Sequence, residues 1–467
     1  MERKNVFFIT FIALIAGFGG FLLGFDSSIM ADIHDQVSNE LSLSDWQWSQ
    51  LVSMSLFGSL LGIPLSGFFA DRVSSRFLLK AVAFSFILGT FFCSLASSFY
   101  SLWAGRLFIG ICLGIASYVT PLFIAEIAPP FCRGTLLLIN GLTITFGQAM
   151  AYLVGYALHD DALHSWRYLF IIGSIPGFIL FIGMYFVPHP PRWVLKKWGL
   201  EQAYACLKKI RPAGYNIEAE LKEISNHLIK KTVHARSLLK APILYVVLIG
   251  MALGLAQQCS GINAIMYYGP VIFESAGFVP VKKAILATFA MGIINFLFTI
   301  ITLLCVDKLG RRFLLLNGTL IASFSLVAAN VFFNYPLPGQ RFYILGAFAL
   351  YIAGYCVSVG SLFWVVISEI YPVQIRGLAM SLATVIQYFA NFLISLSFLK
   401  VYYTLNQSTF SLLGLFCLLA FFLIYFFVPE TTGISLEKIE ERLMAKHKIR
   451  EIGHTLPYKN SVQSEVL

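Results

Sequence analysis

EIYPVQIRG, residues 369–377, lies between two long apolar runs, and EIAPPFCRG, residues 126–134, lies in the same kind of place earlier in the chain. Each copy puts a proline three residues after the acid and Arg-Gly seven and eight residues after it. A second echo accompanies the first: Asp71-Arg72 with Arg76 is matched by Asp307-Lys308-Leu309-Gly310-Arg311-Arg312. Basic loops alone would account for the Arg and Lys. They do not account for the paired acids, the prolines and the equal spacing. The pattern predicts an internally duplicated, pseudo-symmetric carrier.

Working outward, a helix that crosses a bilayer needs about 20 apolar residues. Runs of that kind start near Val6, Leu51, Phe77, Leu102, Leu136, Tyr168, Ile243, Ala284, Phe313, Phe342, Leu378 and Ser411. The fold class is therefore an all-α membrane protein of twelve transmembrane helices in two six-helix bundles. The first run, Val6 to Met30, is too long for a signal peptide and contains Asp26, so it reads as a retained helix. The clearest interruption is polar, Pro188 to Ala241. Within it Ile217, Leu221, Ile224 and Leu228 recur at helical spacing. The expected organisation is a first bundle over 1–187, a helical linker over 188–241, a second bundle over 242–430 and a tail over 431–467.

Only 12% of the residues are charged against 58% hydrophobic, too few to give a water-facing shell. The formal charge of +10 does not point to nucleic acid, because the basic residues fall between the apolar runs. The linker carries Arg192, Lys196, Lys197, Lys208, Lys209, Arg211, Lys222, Lys230, Lys231, Arg236 and Lys240. The first loop on the opposite side carries Asp32, Asp35, Glu40 and Asp45 and no Lys or Arg. Lys282, Lys283 and Arg341 run against this trend. The balance predicts a multi-pass protein of the plasma, or inner, membrane with both termini and the linker cytoplasmic. The eight cysteines show neither a CxxC pair nor metal-ligand spacing with His, so no metal is expected. No nucleophile–base pair or phosphate loop is present, which argues against an enzyme.

Two groups of intramembrane residues carry chemistry. Gln148, Gln257, Gln258, Asn263, Asn295, Gln387 and Asn391 all lie inside apolar runs. An amide is both donor and acceptor, which suits a hydroxyl-rich, uncharged solute, although bonds between helices are the alternative use. Asp26 and Arg106 are ionisable, lie on different helices of one half, and are placed to pair. An intramembrane charge is a functional candidate by default.

The motifs resemble, over nearly the whole chain, those of the sugar-porter family of the major facilitator superfamily. They are Gly24-Phe25-Asp26, Gly67 through Asp71-Arg72 to Arg76, Gly105-Arg106, Glu126 to Gly134, and Gln257-Gln258 with Gly261-Ile262-Asn263 and Tyr267-Tyr268. Asp307 to Arg312, Glu369 to Gly377 and Pro429-Glu430-Thr431 complete the set. The resemblance implies alternating access around a mid-membrane site. It implies sugar binding by the seven amides and Trp364, gating by Tyr267 and Tyr268, and proton coupling through Asp26 with Arg106. It also implies a cytoplasmic charge network of Asp71, Arg72, Glu126, Arg133, Asp307, Arg311, Glu369 and Arg376. The expected activity is proton-coupled symport of a monosaccharide or cyclitol (xylose, glucose or myo-inositol class) by a monomer, with protons as coupling ion and no other cofactor. Facilitated uniport and a non-transporting sugar sensor are the alternatives. Three departures stand out. Pro188-His189-Pro190-Pro191-Arg192-Trp193 lacks the family's acid, Ser75 replaces a glycine, and Gly360-Ser361 replaces Gly-Pro.

Overall fold

The computed structural model describes residues 3–70, 72–129, 133–159, 165–211, 215–229, 241–335, 337–372, 375–431 and 436–445. Twelve helices are long and apolar enough to cross a membrane. They are α1 (Phe8–Asp32), α2 (Asp45–Phe69), α3 (Ser75–Ser94), α4 (Phe99–Ile127), α5 (Leu136–Leu158) and α6 (Ser165–Phe186). The second six are α7 (Ile243–Tyr267), α8 (Val281–Val306), α9 (Arg311–Asn334), α10 (Gln340–Ile370), α11 (Arg376–Leu405) and α12 (Ser408–Phe427). Several begin a few residues before the apolar run does, because polar residues make good helix starts. At α4 the Ser98 side chain accepts from the Ser101 N–H while Ser101 caps in return.

The duplication is visible in the packing. In the first half α2 packs on α4, α1 on α5 and α3 on α6; in the second, α8 packs on α10, α7 on α11 and α9 on α12. The halves meet along two seams, α2 with α11 and α5 with α8. Each seam holds one aromatic pair, Phe57 with Phe392 at 5.4 Å and Phe146 with Phe296 at 5.5 Å between ring centres.

Lipid offers no hydrophobic drive for helices to associate, so close backbone approach has to supply the contact. Gly110 and Gly114 on α4 lie against the Ser55 and Ser59 carbonyls of α2, where any Cβ would overlap them. The Ser59 hydroxyl also donates to the Gly110 carbonyl at 3.0 Å. This tight seam fixes the height of Arg106, one turn before Gly110.

Two spans of the second half are broken. α7 is interrupted at Gly261, whose φ of 83° suits glycine alone. α10 contains a π-helical turn over Cys356–Gly360, with Ser358 outside helical geometry. The linker forms helices Pro191–Trp198, Leu200–Ile210 and Ile217–Ile229, the last burying Leu221 and Ile224 as its period predicts.

One reading is corrected. Asp32, Asp35, Glu40 and Asp45 do not lie in one loop. Asp32 is the buried last residue of α1, and residues His34–Glu40 form a short helix. Glu40 accepts from the Trp166 indole at 2.6 Å and pairs with Arg167 at 2.7 Å, which ties that helix to α6. Local polarity made the stretch look solvated, and tertiary pairing overrode it.

Candidate functional site

Asp26 and Arg106 meet. The guanidinium donates to Asp26 Oδ1 at 2.6 Å, and both side chains are buried, Asp26 to 3% exposure. Arg106 also donates to the Ser55 hydroxyl at 2.8 Å, a partner on α2 that sequence spacing gave no means of finding. Asp26 Oδ2 and Arg106 Nε have no hydrogen-bond partner. The pair is therefore incompletely satisfied. A buried ion pair holds only while its geometry compensates the loss of water, so this one is sensitive to any movement between α1 and α4.

The amides assemble into two groups. Gln387 on α11 donates to Gln257 Oε1 at 2.5 Å, and Gln257 Nε2 donates to the Val359 and Gly360 carbonyls at 2.9 and 3.1 Å. The break in α10 thus frees backbone acceptors, and a side chain of α7 satisfies them, as the membrane interior requires. Gln387 Oε1 is buried and has no partner. Beside this group Asn263 donates to Gln258 Oε1 at 2.8 Å across the Gly261 break, and Asn391 accepts from Ser395 at 3.2 Å. The second group bridges the halves: Asn295 on α8 donates to Gln148 on α5 at 2.9 Å, and the Cys356 thiol points to Asn295 Oδ1 at 2.9 Å. All seven amides are buried or half-buried. Trp364, on the segment after the α10 break, keeps 42% of its surface exposed beside Phe363.

Tyr267 and Tyr268 are both buried, and the Tyr268 hydroxyl donates to the Ser395 carbonyl at 2.9 Å. Next to them the Tyr152 hydroxyl on α5 donates to the Met266 carbonyl at 2.9 Å, joining the halves on the side away from the linker. Tyr152 was not singled out from sequence. Nothing marks it there, because its partner is a backbone carbonyl in the other half.

Near the linker, described charged groups form contacts inside each half. The Ser75 hydroxyl donates to Glu126 at 2.7 Å, so the serine that departs from the family glycine supplies the acid's partner. Arg311 pairs with Glu369 at 3.3 Å, and the Thr431 hydroxyl donates to Glu369 at 2.5 Å. Glu430 accepts from the Arg311 and Arg312 N–H groups at 3.0 and 2.9 Å. Arg376 donates to the Tyr371 carbonyl at 3.3 Å, and Arg72 lies over the Phe68 ring at 3.6 Å. Asp71 lies outside the described residues, as do the side chains of Arg133 and Asp307. His189, at the place of the family acid, stacks on Trp193 at 5.1 Å and hydrogen-bonds the Ser74 hydroxyl at 3.1 Å. Burial, with Arg76 and Lys80 nearby, holds its imidazole below the usual histidine range.

Comparison with known proteins places this arrangement. Residues 12–443 match the profile of the family Sugar (and other) transporter. The chain is 31% identical over 455 residues to the galactose-proton symporter of Escherichia coli strain K12, spanning 97% of this chain and 98% of that one. It is 30% identical over 460 residues to the major myo-inositol transporter of Bacillus subtilis, spanning 95% of this chain and 96% of that one. The xylose transporter of Escherichia coli, solved in an inward-open conformation, superposes with a TM-score of 0.81 at 28% identity, covering 93% of this chain and 99% of that structure. The chain is a multi-pass transporter, not an enzyme, and it belongs to the sugar-porter family of the major facilitator superfamily.

Proposed function

We propose that the protein is a proton-coupled symporter of a monosaccharide or cyclitol. The observation that carries this reading is the Asp26–Arg106 pair, a carboxylate deep in α1 with one oxygen engaged and the other without a partner. Movement of Arg106 away from Asp26 removes the counter-charge and favours proton uptake. Restoring the contact expels the proton. The neutral amides of α7, α8 and α11 supply donors and acceptors to a solute rich in hydroxyls, and Trp364 offers an aromatic face to its C–H surface. The galactose-proton and myo-inositol relatives support that solute class.

In this reading 1–187 and 242–430 are the two rocking bundles, 188–241 links them and 431–467 is the tail. The linker side faces the cytoplasm, as its basic residues favour. The protein acts as a monomer in the plasma membrane. Tyr267 and Tyr268 belong to the gate on the outer side, where Tyr152 reaches Met266.

Uptake of a panel of labelled sugars and cyclitols into proteoliposomes, with and without an imposed pH gradient, tests the proposal. One member of the panel is expected to accumulate above equilibrium only with the gradient. Equal uptake in both conditions makes the protein a uniporter instead.

A further inference from the structure

Asp32 ends α1 on the side away from the linker. It is 4% exposed, and neither carboxylate oxygen has a hydrogen-bond partner. It lines a pocket between the halves together with His34 and Asp35 from the first half and Pro270, Glu274 and Val281 from the second. Behind it stands Gly155 of α5, where any Cβ would overlap the Asp32 carboxylate, so the acid lies directly on backbone.

The surrounding charges do not satisfy it. On the segment that follows α1, His34 Nδ1 is engaged with Asp35 Oδ1 at 2.7 Å, and that hydrogen bond holds Asp35 below the usual carboxylate range. From α5 and its end come Tyr152, Tyr156 and His159. The Tyr152 hydroxyl is committed to Met266, and His159 acts on Asp35. From the helix Gly269–Ser275 comes Glu274, whose carboxyl is held above its usual range by burial and then by Asp35. From α8 come Lys282, over the Tyr156 ring at 5.5 Å, and Lys283; from α2 come Asp45 and Trp48, the latter edge-on to His34 at 4.9 Å.

A buried carboxylate without partner costs several kcal/mol if ionised. It needs a cation or a proton. Among the described residues no group of His, Cys, Asp and Glu is arranged to hold a metal ion. We propose that Asp32 is a second proton-binding site, distinct from Asp26, filled when the halves close over this pocket and emptied when they part. Closure strips water from the acid, which takes one proton from the solution on that side. Opening rehydrates the carboxylate and returns the proton to the same side. The site therefore makes the gate pH-sensitive: acid on that side holds it shut. This holds whether Asp26 or no residue couples transport, so the two readings fail separately.

The test uses the full chain in lipid nanodiscs, with a fluorophore pair across the gate ends of α1 and α7. One proton linked to opening changes the open-to-closed ratio by up to about tenfold per pH unit. Wild type is expected to open as pH rises. On a D26N background, which removes any titration at Asp26, the slope is expected to remain, and adding D32N, or D32S if that variant folds poorly, is expected to leave the gate closed with a flat profile. Infrared difference spectra of the wild type are expected to hold a protonated-carboxyl band that survives D26N and disappears in D32N. A flat wild-type profile overturns the proposal, as does the absence of that band. So does a slope that persists in D32N and vanishes in H34Q or E274Q, which assigns the proton to those groups.

Discussion

The two halves share a helix order and a packing scheme, yet they bury different chemistry. The first half keeps its key spans α1 and α4 unbroken and sets an ion pair between them, Asp26 with Arg106. The second half breaks the equivalent spans, α7 at Gly261 and α10 at Cys356–Gly360, and fills the gaps with neutral amides. The difference has a physical basis. A charge inside a membrane needs a rigid partner at fixed height, which a continuous helix supplies. A hydroxyl ligand needs several directional groups of moderate strength, which broken helices supply by exposing backbone and bending side chains inward. Duplication provides the frame, and the interior of each copy is then free to specialise, one around an ion pair and one around neutral amides.

The largest effect should come from Asp26→Asn, which keeps shape and hydrogen bonding but cannot exchange a proton. Accumulation against a gradient is expected to vanish, while exchange of labelled solute across the membrane persists. A variant that still concentrates solute in proteoliposomes breaks the comparison by moving the proton site out of the first half.

Gln258→Ala should act on the other side of the comparison. Losing one hydrogen bond in such a site costs roughly 1–3 kcal/mol, about a 5- to 150-fold loss of affinity. Titration calorimetry with the transported solute reads it, and the gradient dependence of uptake should remain. Unchanged affinity would return the Gln258–Asn263 bond to a purely structural role. Gln257→Ala should additionally lower thermal stability, because it leaves the Val359 and Gly360 carbonyls unsatisfied in the break of α10.

Smaller effects belong to the linker side. Glu126→Gln and Arg376→Ala are expected to widen spectroscopic distances between the halves there and slow net uptake, with binding kept. Unchanged distances with normal uptake would reduce these groups to topology signals.

The smallest effect concerns His189. Its pKa is depressed in the fold, so the unfolded chain binds more protons near its ordinary value of about 6.5. Stability should therefore fall as pH drops through and below that value and recover as pH rises. Melting temperatures of wild type and His189→Gln on either side of about pH 6.5 check the sign; the variant's curve should be flatter.

Much of this was legible in the chain. Twelve apolar runs are a one-dimensional signal, and each one becomes a spanning helix. The Asp26–Arg106 partnership was legible because charges inside apolar runs are so few that they nominate each other. The pairing among amides was not. Seven similar side chains on four spans can combine in many ways, and the break in α10 decides which carbonyls claim Gln257. Asp32 was misplaced for the opposite reason. Its neighbours His34 and Asp35 make the stretch look wet, and only the bare backbone at Gly155 and the other half of the molecule bury it. The two turns at which α2 begins were missed as well, since Asp45 to Gln50 are polar in composition but helical in place.

The chain of bonds from Gln387 through Gln257 to the α10 carbonyls has a polarity. Both amides pass an N–H forward, so Gln257 cannot turn over without breaking the links on both sides of it, nor Gln387 without breaking the one between them. The sequence of donors ends on carbonyl oxygens at one end and begins, at the other, with an oxygen that nothing feeds, Gln387 Oε1. A hydroxyl arriving at that atom has one role open to it: it must give its hydrogen. If the amides bind the solute as proposed, the wiring fixes in advance which way round a hydroxyl is read there, and a bare ether or carbonyl oxygen at that point would meet acceptor with acceptor.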